Sequence, residues 1–177
     1  ALSRHPDKFI HIFDSMSASA GETLVARKIY EFASTLSTPH EVVQKMEAFI
    51  AGMKTFFILE SLENLMKNGR LSKITGHLST ILSIKPIMGS DGNGEIKLFE
   101  TLRGVQRAFS RLIDMVGEQC SNTQDKILTI SHCNAEDRAL SLKKDLESRY
   151  QFREILVNST LGLSTVYANE GGVVVAF

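Results

Sequence analysis

The sequence predicts an α/β (α+β) protein, and three observations predict it. Short runs of β-branched and aromatic residues alternate with longer segments of helical apolar spacing. Two serine or threonine residues, each followed three positions on by glutamate, read as helix starts. "DGNG" lies between "KPIMGS" and "EIKLFE", where it reads as a hairpin turn.

Taken in order, "KFIHIF" (8–13) reads as a strand, and "DSMSASAGE" as the loop into a helix that runs to about Leu36. Ser19-x-x-Glu22 fits a capping box there. Thr38-Pro39-His40-Glu41 repeats the device, with proline at the first helical position, where its missing N–H costs nothing. Val42, Val43, Met46, Phe49 and Ile50 then recur at helical spacing. "KTFFIL" (54–59) reads as a strand and "SLENLMKN" as a short helix stopped by Gly69. "HLSTILS" reads as helix. The hairpin follows, then a helix over 102–117. "KILTIS" (126–131) is a strand, and "AEDRALSLKKDLESRY" a helix with Asn134 as its cap. "FREILV" and "VVVAF" are strands, and "GLSTVYANEGG" between them is a glycine-bounded loop with a helical turn. A boundary is expected near Gly52, dividing the chain into residues 1–52 and 53–177.

The totals narrow the function. The 177 residues are 43% hydrophobic, enough for a core, and carry 20 basic against 20 acidic side chains. A balanced charge argues against nucleic acid as a partner, because phosphate binding wants a basic face. No apolar run reaches the roughly 18 residues of a membrane-spanning helix, and no signal peptide opens the chain. Two cysteines, Cys120 and Cys133, make no disulfide framework. These features read as a cytoplasmic protein without an integral membrane segment. "ALSRHPDKFIHIF" runs into a strand pattern so abruptly that it reads as part of a longer chain.

Motifs for chemistry are sparse. "GSDGNGE" lacks the remaining ligands of a calcium loop. His132-Cys133 with Cys120 lacks metal-ligand spacing, so no metal site is assigned. No Walker loop or nucleophile elbow occurs, and no catalytic residue is assigned. Ser15, Ser17 and Ser19 read first as caps and turn residues. Arg103, Arg107 and Arg111 recur every four residues, which reads as a solvated basic row or as an anion site suited to guanidinium. Asn68-Gly69-Arg70 reads as a helix stop, set oddly before an apolar, small-residue-rich stretch.

"FDSMSASAG", "FFILESLENLMKNGRLSK", "ILSIKPIM", "DGNGEI", "TLRGVQRA" and the closing glycine-rich loop with its strand together resemble the DegV family, the fatty-acid-binding carriers that serve bacterial fatty acid kinase. "LENLMKNGRLS…LSIKPI" is the specific part. The resemblance implies the end of a Rossmann-like first domain, residues 1–52, followed by a mixed-sheet second domain with helices, residues 53–177. The family's amino-terminal third, with hydroxyls that hold the fatty acid carboxylate, has no counterpart in this sequence. The family's His-x-Gly-Pro-Gly loop is here Tyr167-Ala168-Asn169-Glu170-Gly171-Gly172. Tyrosine can donate a hydrogen bond there, but it lacks histidine's imidazole, the side chain that exchanges a proton near neutral pH.

By this resemblance the ligand is a long-chain fatty acid, no other cofactor is needed, and the partner is the catalytic subunit of fatty acid kinase, which makes the acyl phosphate for phospholipid synthesis. The chain is then a carrier and not an enzyme. Ile74, Leu78, Ile81, Leu82 and Ile84 are implied as lipid lining, with Gly76, Ser79 and Ser83 leaving room for a tail. Arg103 is implied near the phosphate or the kinase, and Tyr167 near the head group. Two other readings stay open. A small-molecule kinase or transferase domain would bind nucleotide, and the missing phosphate loop and magnesium carboxylates count against it. A ligand-free regulatory module would have a filled core where a lining is proposed.

Overall fold

The computed structural model describes residues 4–71 and 84–177. Among the described residues, six strands form one mixed sheet: β1 (Thr55–Ile58), β2 (Ile84–Ser90), β3 (Ile96–Arg103), β4 (Ile127–His132), β5 (Glu154–Ser159) and β6 (Val173–Ala176). Their order is β3-β2-β1-β6-β4-β5. Only β4 and β5 pair in parallel; the other neighbours are antiparallel. The helices are α1 (Ala20–Thr35), α2 (Pro39–Gly52), α3 (Glu63–Lys67), α4 (Val105–Gln119), α5 (Glu136–Arg149) and α6 (Gly162–Ala168). The mixed α/β architecture read from the sequence is therefore the one observed.

The two faces of the sheet follow from the period of two in its strands. Phe56, Ile58, Ile87, Leu128, Ile130 and Val175 face α4 and α5, whose Ala108, Leu112, Val116, Leu142 and Leu146 complete the larger core. Val174, Ala176 and Ile127 face the other way, onto Ala20, Leu24 and Val25 of α1 and Met46 of α2. A third apolar group, Leu59, Leu65, Leu71, Met88, Cys133 and Ala168, joins the sheet to α3 and α6. β4 is buried along its whole length because it is covered on both faces.

Several local expectations need correction. Residues 8–13 form no strand and have no ladder partner among the described residues. β1, the next strand along the chain, already has β6 on one edge and β2 on the other. The capping box at Thr38 forms, with Glu41 N donating to Thr38 Oγ1 and Thr38 N donating to Glu41 Oε2. The one at Ser19 does not: Ser19 has φ 57° and makes no side-chain cap bond, because an N-cap needs extended backbone. Asn134 lies one residue too early to cap α5, in a left-handed turn at φ 46°. The helix read over "HLSTILS" falls outside the described residues.

Candidate functional site

A cleft of about 350 Å³ opens on the α1 face of the sheet, within the ~300–1,000 Å³ range of small-molecule sites. Its floor is Thr55 and Phe57 of β1 and Leu59 just beyond it, with Gly89 and Ser90 of β2, Ile96 of β3 and Val174 of β6. One wall is the loop 16–19 with Glu22 of α1. The other is Leu65 of α3, Arg70 just beyond it, and Leu163, Ser164 and Tyr167 of α6. Alternation along β1 sets this up: Phe56 and Ile58 enter the larger core, so Phe57 and Thr55 face the cleft.

The loop wall is rich in hydroxyls and held tightly. Ser17 Oγ and Thr55 Oγ1 share a hydrogen bond of 2.8 Å, and Ser90 Oγ donates to the Met16 carbonyl at 3.1 Å. Met16 and Ser19 both have positive φ, 49° and 57°, a conformation that costs a non-glycine residue energy. The buried Ser19 hydroxyl has no hydrogen-bond partner among the described residues.

The opposite wall is two short helices pinned to each other. Asn64 Nδ2 donates to the Val166 carbonyl at 2.6 Å and to Asn169 Oδ1 at 3.0 Å, and Asn169 Nδ2 donates to the Ser61 carbonyl at 3.3 Å. α3 ends in a tight turn in which Arg70 N donates to the Leu65 carbonyl at 2.9 Å, with Gly69 at φ 69°. That turn delivers Arg70 to the cleft mouth, where its exposed guanidinium makes no ion pair among the described residues. Apolar floor, hydroxyl wall and a cation at the mouth suit an amphiphile with an acidic head.

At the end of the sheet where β2 begins, Glu60 bridges two cations. Burial pushes its carboxyl upward, but hydrogen bonds from Lys85 and Arg138 outweigh this and hold it below the ordinary range. Arg111, read from sequence as part of a free basic row, is instead paired with Glu100 and Glu118, which raises its pKa further. Arg103 ends β3 and so does not share the helix with Arg107 and Arg111.

Of the residues read as functional, Tyr167 lines the cleft, half-buried. Ile84 and Arg103 are cross-strand partners at the far end of the β2–β3 hairpin, and neither lines the cleft. Ile74, Leu78, Ile81 and Leu82 lie outside the described residues. Sequence reasoning missed Thr55 and Phe57, which look like ordinary strand residues. It took Arg70 for a helix stop and Ser17 and Ser19 for caps and turn residues first, although the serine spacing was the available signal. Among the described residues, no group of His, Cys, Asp and Glu is placed to hold a metal, and no helix is long and apolar enough to cross a membrane.

Fold and cleft define the class: an α/β protein with an amphipathic ligand cleft against a mixed sheet. The sequence model described as "Uncharacterised protein, DegV family" matches residues 1–177. The chain belongs to the DegV family. It is similar to a DegV family protein from Ruminococcus gnavus, whose crystal structure was refined with vaccenic acid, at 41% identity and TM-score 0.94, covering 99% of this chain and 63% of that one. It is also similar to the Fatty Acid Kinase (Fak) B3 protein of Streptococcus pneumoniae, solved loaded with linoleic acid, at 28% identity and TM-score 0.89, covering 99% and 62%. A DegV domain-containing protein of Streptococcus pneumoniae is 28% identical over 180 residues, 99% of this chain and 62% of that protein. The chain thus spans 62% of the length of such curated relatives.

Proposed function

We propose that this chain is the larger part of a cytoplasmic fatty-acid carrier that presents a bound long-chain fatty acid to a separate kinase. The observation that carries the reading is the cleft, with Phe57, Leu59 and Val174 beneath Arg70, which has no ion-pair partner among the described residues, at its mouth. Support comes from the R. gnavus protein refined with vaccenic acid and from the S. pneumoniae Fak B3 protein loaded with linoleic acid. Energetically a tail suffices. About 14 methylenes at ~0.8 kcal/mol each contribute on the order of 10 kcal/mol gross, from which binding costs subtract several.

In this reading the head group lies toward Arg70 and Tyr167, and the kinase transfers phosphate to the carboxylate. Arg103, away from the cleft and free of ion pairs among the described residues, faces the kinase. Residues 1–52 complete a first unit together with the remainder of the parent protein, and 53–177 form the second.

The experiment is mass spectrometry of an organic extract of the purified chain and of the longer parent, followed by titration with linoleic acid. A fatty acid near one-to-one in the parent supports the carrier reading. No lipid in either, even after incubation, overturns it. Titration with ATP and magnesium runs beside it, and nucleotide binding in their presence would turn the reading toward a kinase or transferase.

A further inference from the structure

We propose that Arg138 is a positioning residue: it fixes the loop that follows α6 and thereby holds Tyr167, on the last turn of that helix, in the cleft. The inference deepens the carrier reading and rests on it for its ligand.

The loop 169–172 joins α6 to β6. Its backbone is tied to Cys133, whose carbonyl accepts from Gly171 N at 2.8 Å and whose N–H donates to the Gly172 carbonyl at 3.0 Å. Arg138 Nη1 donates to the Gly171 carbonyl at 2.5 Å and to Glu60 Oε1 at 2.7 Å. The second Glu60 oxygen takes Lys85. Glu60 thereby aims Arg138, while Lys85 leaves the cluster with one net positive charge against the loop carbonyl. The Arg138 guanidinium also lies 5.6 Å from the centre of the Phe109 ring on α4, which limits its rotamers.

The loop rests directly on this pair. Gly171 has φ 85°, and a Cβ there would lie 2.6 Å from Glu60 Cγ and 3.2 Å from Arg138 Nη1. No other residue type fits without moving the cluster. α6 itself spans only Gly162–Ala168, too short to hold an orientation alone. Its placement is set from outside: by Asn64 on the cleft side and, at its carboxy-terminal exit, by Arg138 on α5, a helix packed on the opposite face of the sheet. Tyr167 and Ala168, the last two residues of α6, are the cleft residues nearest that exit, and Tyr167 is the one with a polar side chain. A charge on one face of the sheet therefore sets a side chain on the other.

The chain has no tryptophan and three tyrosines, so Tyr167 becomes the sole ultraviolet fluorophore of its class in a Tyr30→Phe, Tyr150→Phe background. Acrylamide quenching is measured there in four forms: Arg138 retained, Arg138→Met, Arg138→Lys, and Arg149→Met, which removes another arginine of α5 from its pair with Asp114 of α4. The expected result is at least a doubling of the quenching constant in Arg138→Met, a value near the parent in Arg138→Lys, and no change in Arg149→Met. Linoleic acid affinity falls threefold or more in Arg138→Met and is regained in Arg138→Lys. Unchanged quenching in Arg138→Met overturns the proposal. So does an equal rise in Arg149→Met, which would mean general loosening, or an Arg138→Lys protein as exposed as the methionine form. If the unsubstituted chain takes no linoleic acid, the carrier reading falls, while the quenching comparison still decides the role of Arg138.

Discussion

Replacing Arg70 by methionine tests whether the cleft recognises a charge. The side chain makes no hydrogen bond or ion pair among the described residues, and the turn that holds it uses its backbone N–H. The substitution therefore removes a cation without removing a fold contact. A full charge pair at 4 Å is worth ~1 kcal/mol at water-like dielectric and ~4 kcal/mol at an effective dielectric of 20. Arg70 is exposed, so the lower figure applies, in line with the ~0.2–1 kcal/mol of exposed pairs. About 1 kcal/mol corresponds to a roughly fivefold rise in Kd. The assay is calorimetric titration of wild type and Arg70→Met with linoleic acid and, in parallel, with linoleyl alcohol. Binding of the acid weakens about fivefold, the alcohol is unchanged, and the gap closes as salt is raised to about 0.5 M. Equal weakening of acid and alcohol would refute the reasoning, since it would make Arg70 a packing residue. An unaffected acid would refute it too.

Other predictions follow from the same geometry. Arg103→Ala lowers phosphorylation by the partner kinase while fatty acid binding stays within about twofold; equal loss of both would reveal a folding role. Gly89→Ala places a Cβ 2.1 Å from the Thr55 carbonyl oxygen, an overpacking worth about 2 kcal/mol and a Tm loss of about 4–8 °C by thermal unfolding. Gly52→Ala, whose Cβ would meet nothing within 4 Å, leaves Tm unchanged or slightly raised. The Glu60 carboxyl is held low by Lys85 and Arg138 against its burial, so its ionised form contributes stability above the ordinary carboxylate range, lost as pH falls through the lowered folded value. Glu60→Gln therefore flattens the acid limb of the stability–pH curve measured by urea unfolding.

Legibility in the sequence tracked the range of the interactions. Thr38-Pro39-His40-Glu41 and the Gly69 turn depend on neighbours within a few residues, and both formed as read. The "DGNG" hairpin did too, with Asp91 Oδ1 accepting from Asn93 N and Glu95 N. Ser19 carried the same local signature as Thr38, yet its backbone took a positive φ because the loop is tied to Thr55 and Ser90 on the cleft floor. Residues 8–13 have strand composition, but a strand needs a partner edge, and composition does not supply one. The cleft was harder still. Thr55 and Phe57 line it only because β1 lies mid-sheet with one face against α4 and the other partly uncovered by α1. Arg138 resembles any charged helix residue until Gly171, far along the chain, is brought to its guanidinium.

The sheet order has a consequence for how the molecule is assembled in time. β6 stands between the antiparallel trio β3-β2-β1 and the parallel pair β4-β5, and it pairs Val175 with both Phe56 and Ile130. Neither half can be zipped to the other until Val173–Ala176 has left the ribosome. Until then Phe57 and Val174 are not neighbours, and the cleft floor lacks the part that β6 supplies. Pairings so distant in sequence are slow to find, which leaves the edges of β1 and β4 open meanwhile. Synthesis arrested before Val173 should yield a species that binds chaperones rather than lipid, and resumed synthesis through β6 should carry it to the folded form in a single late step.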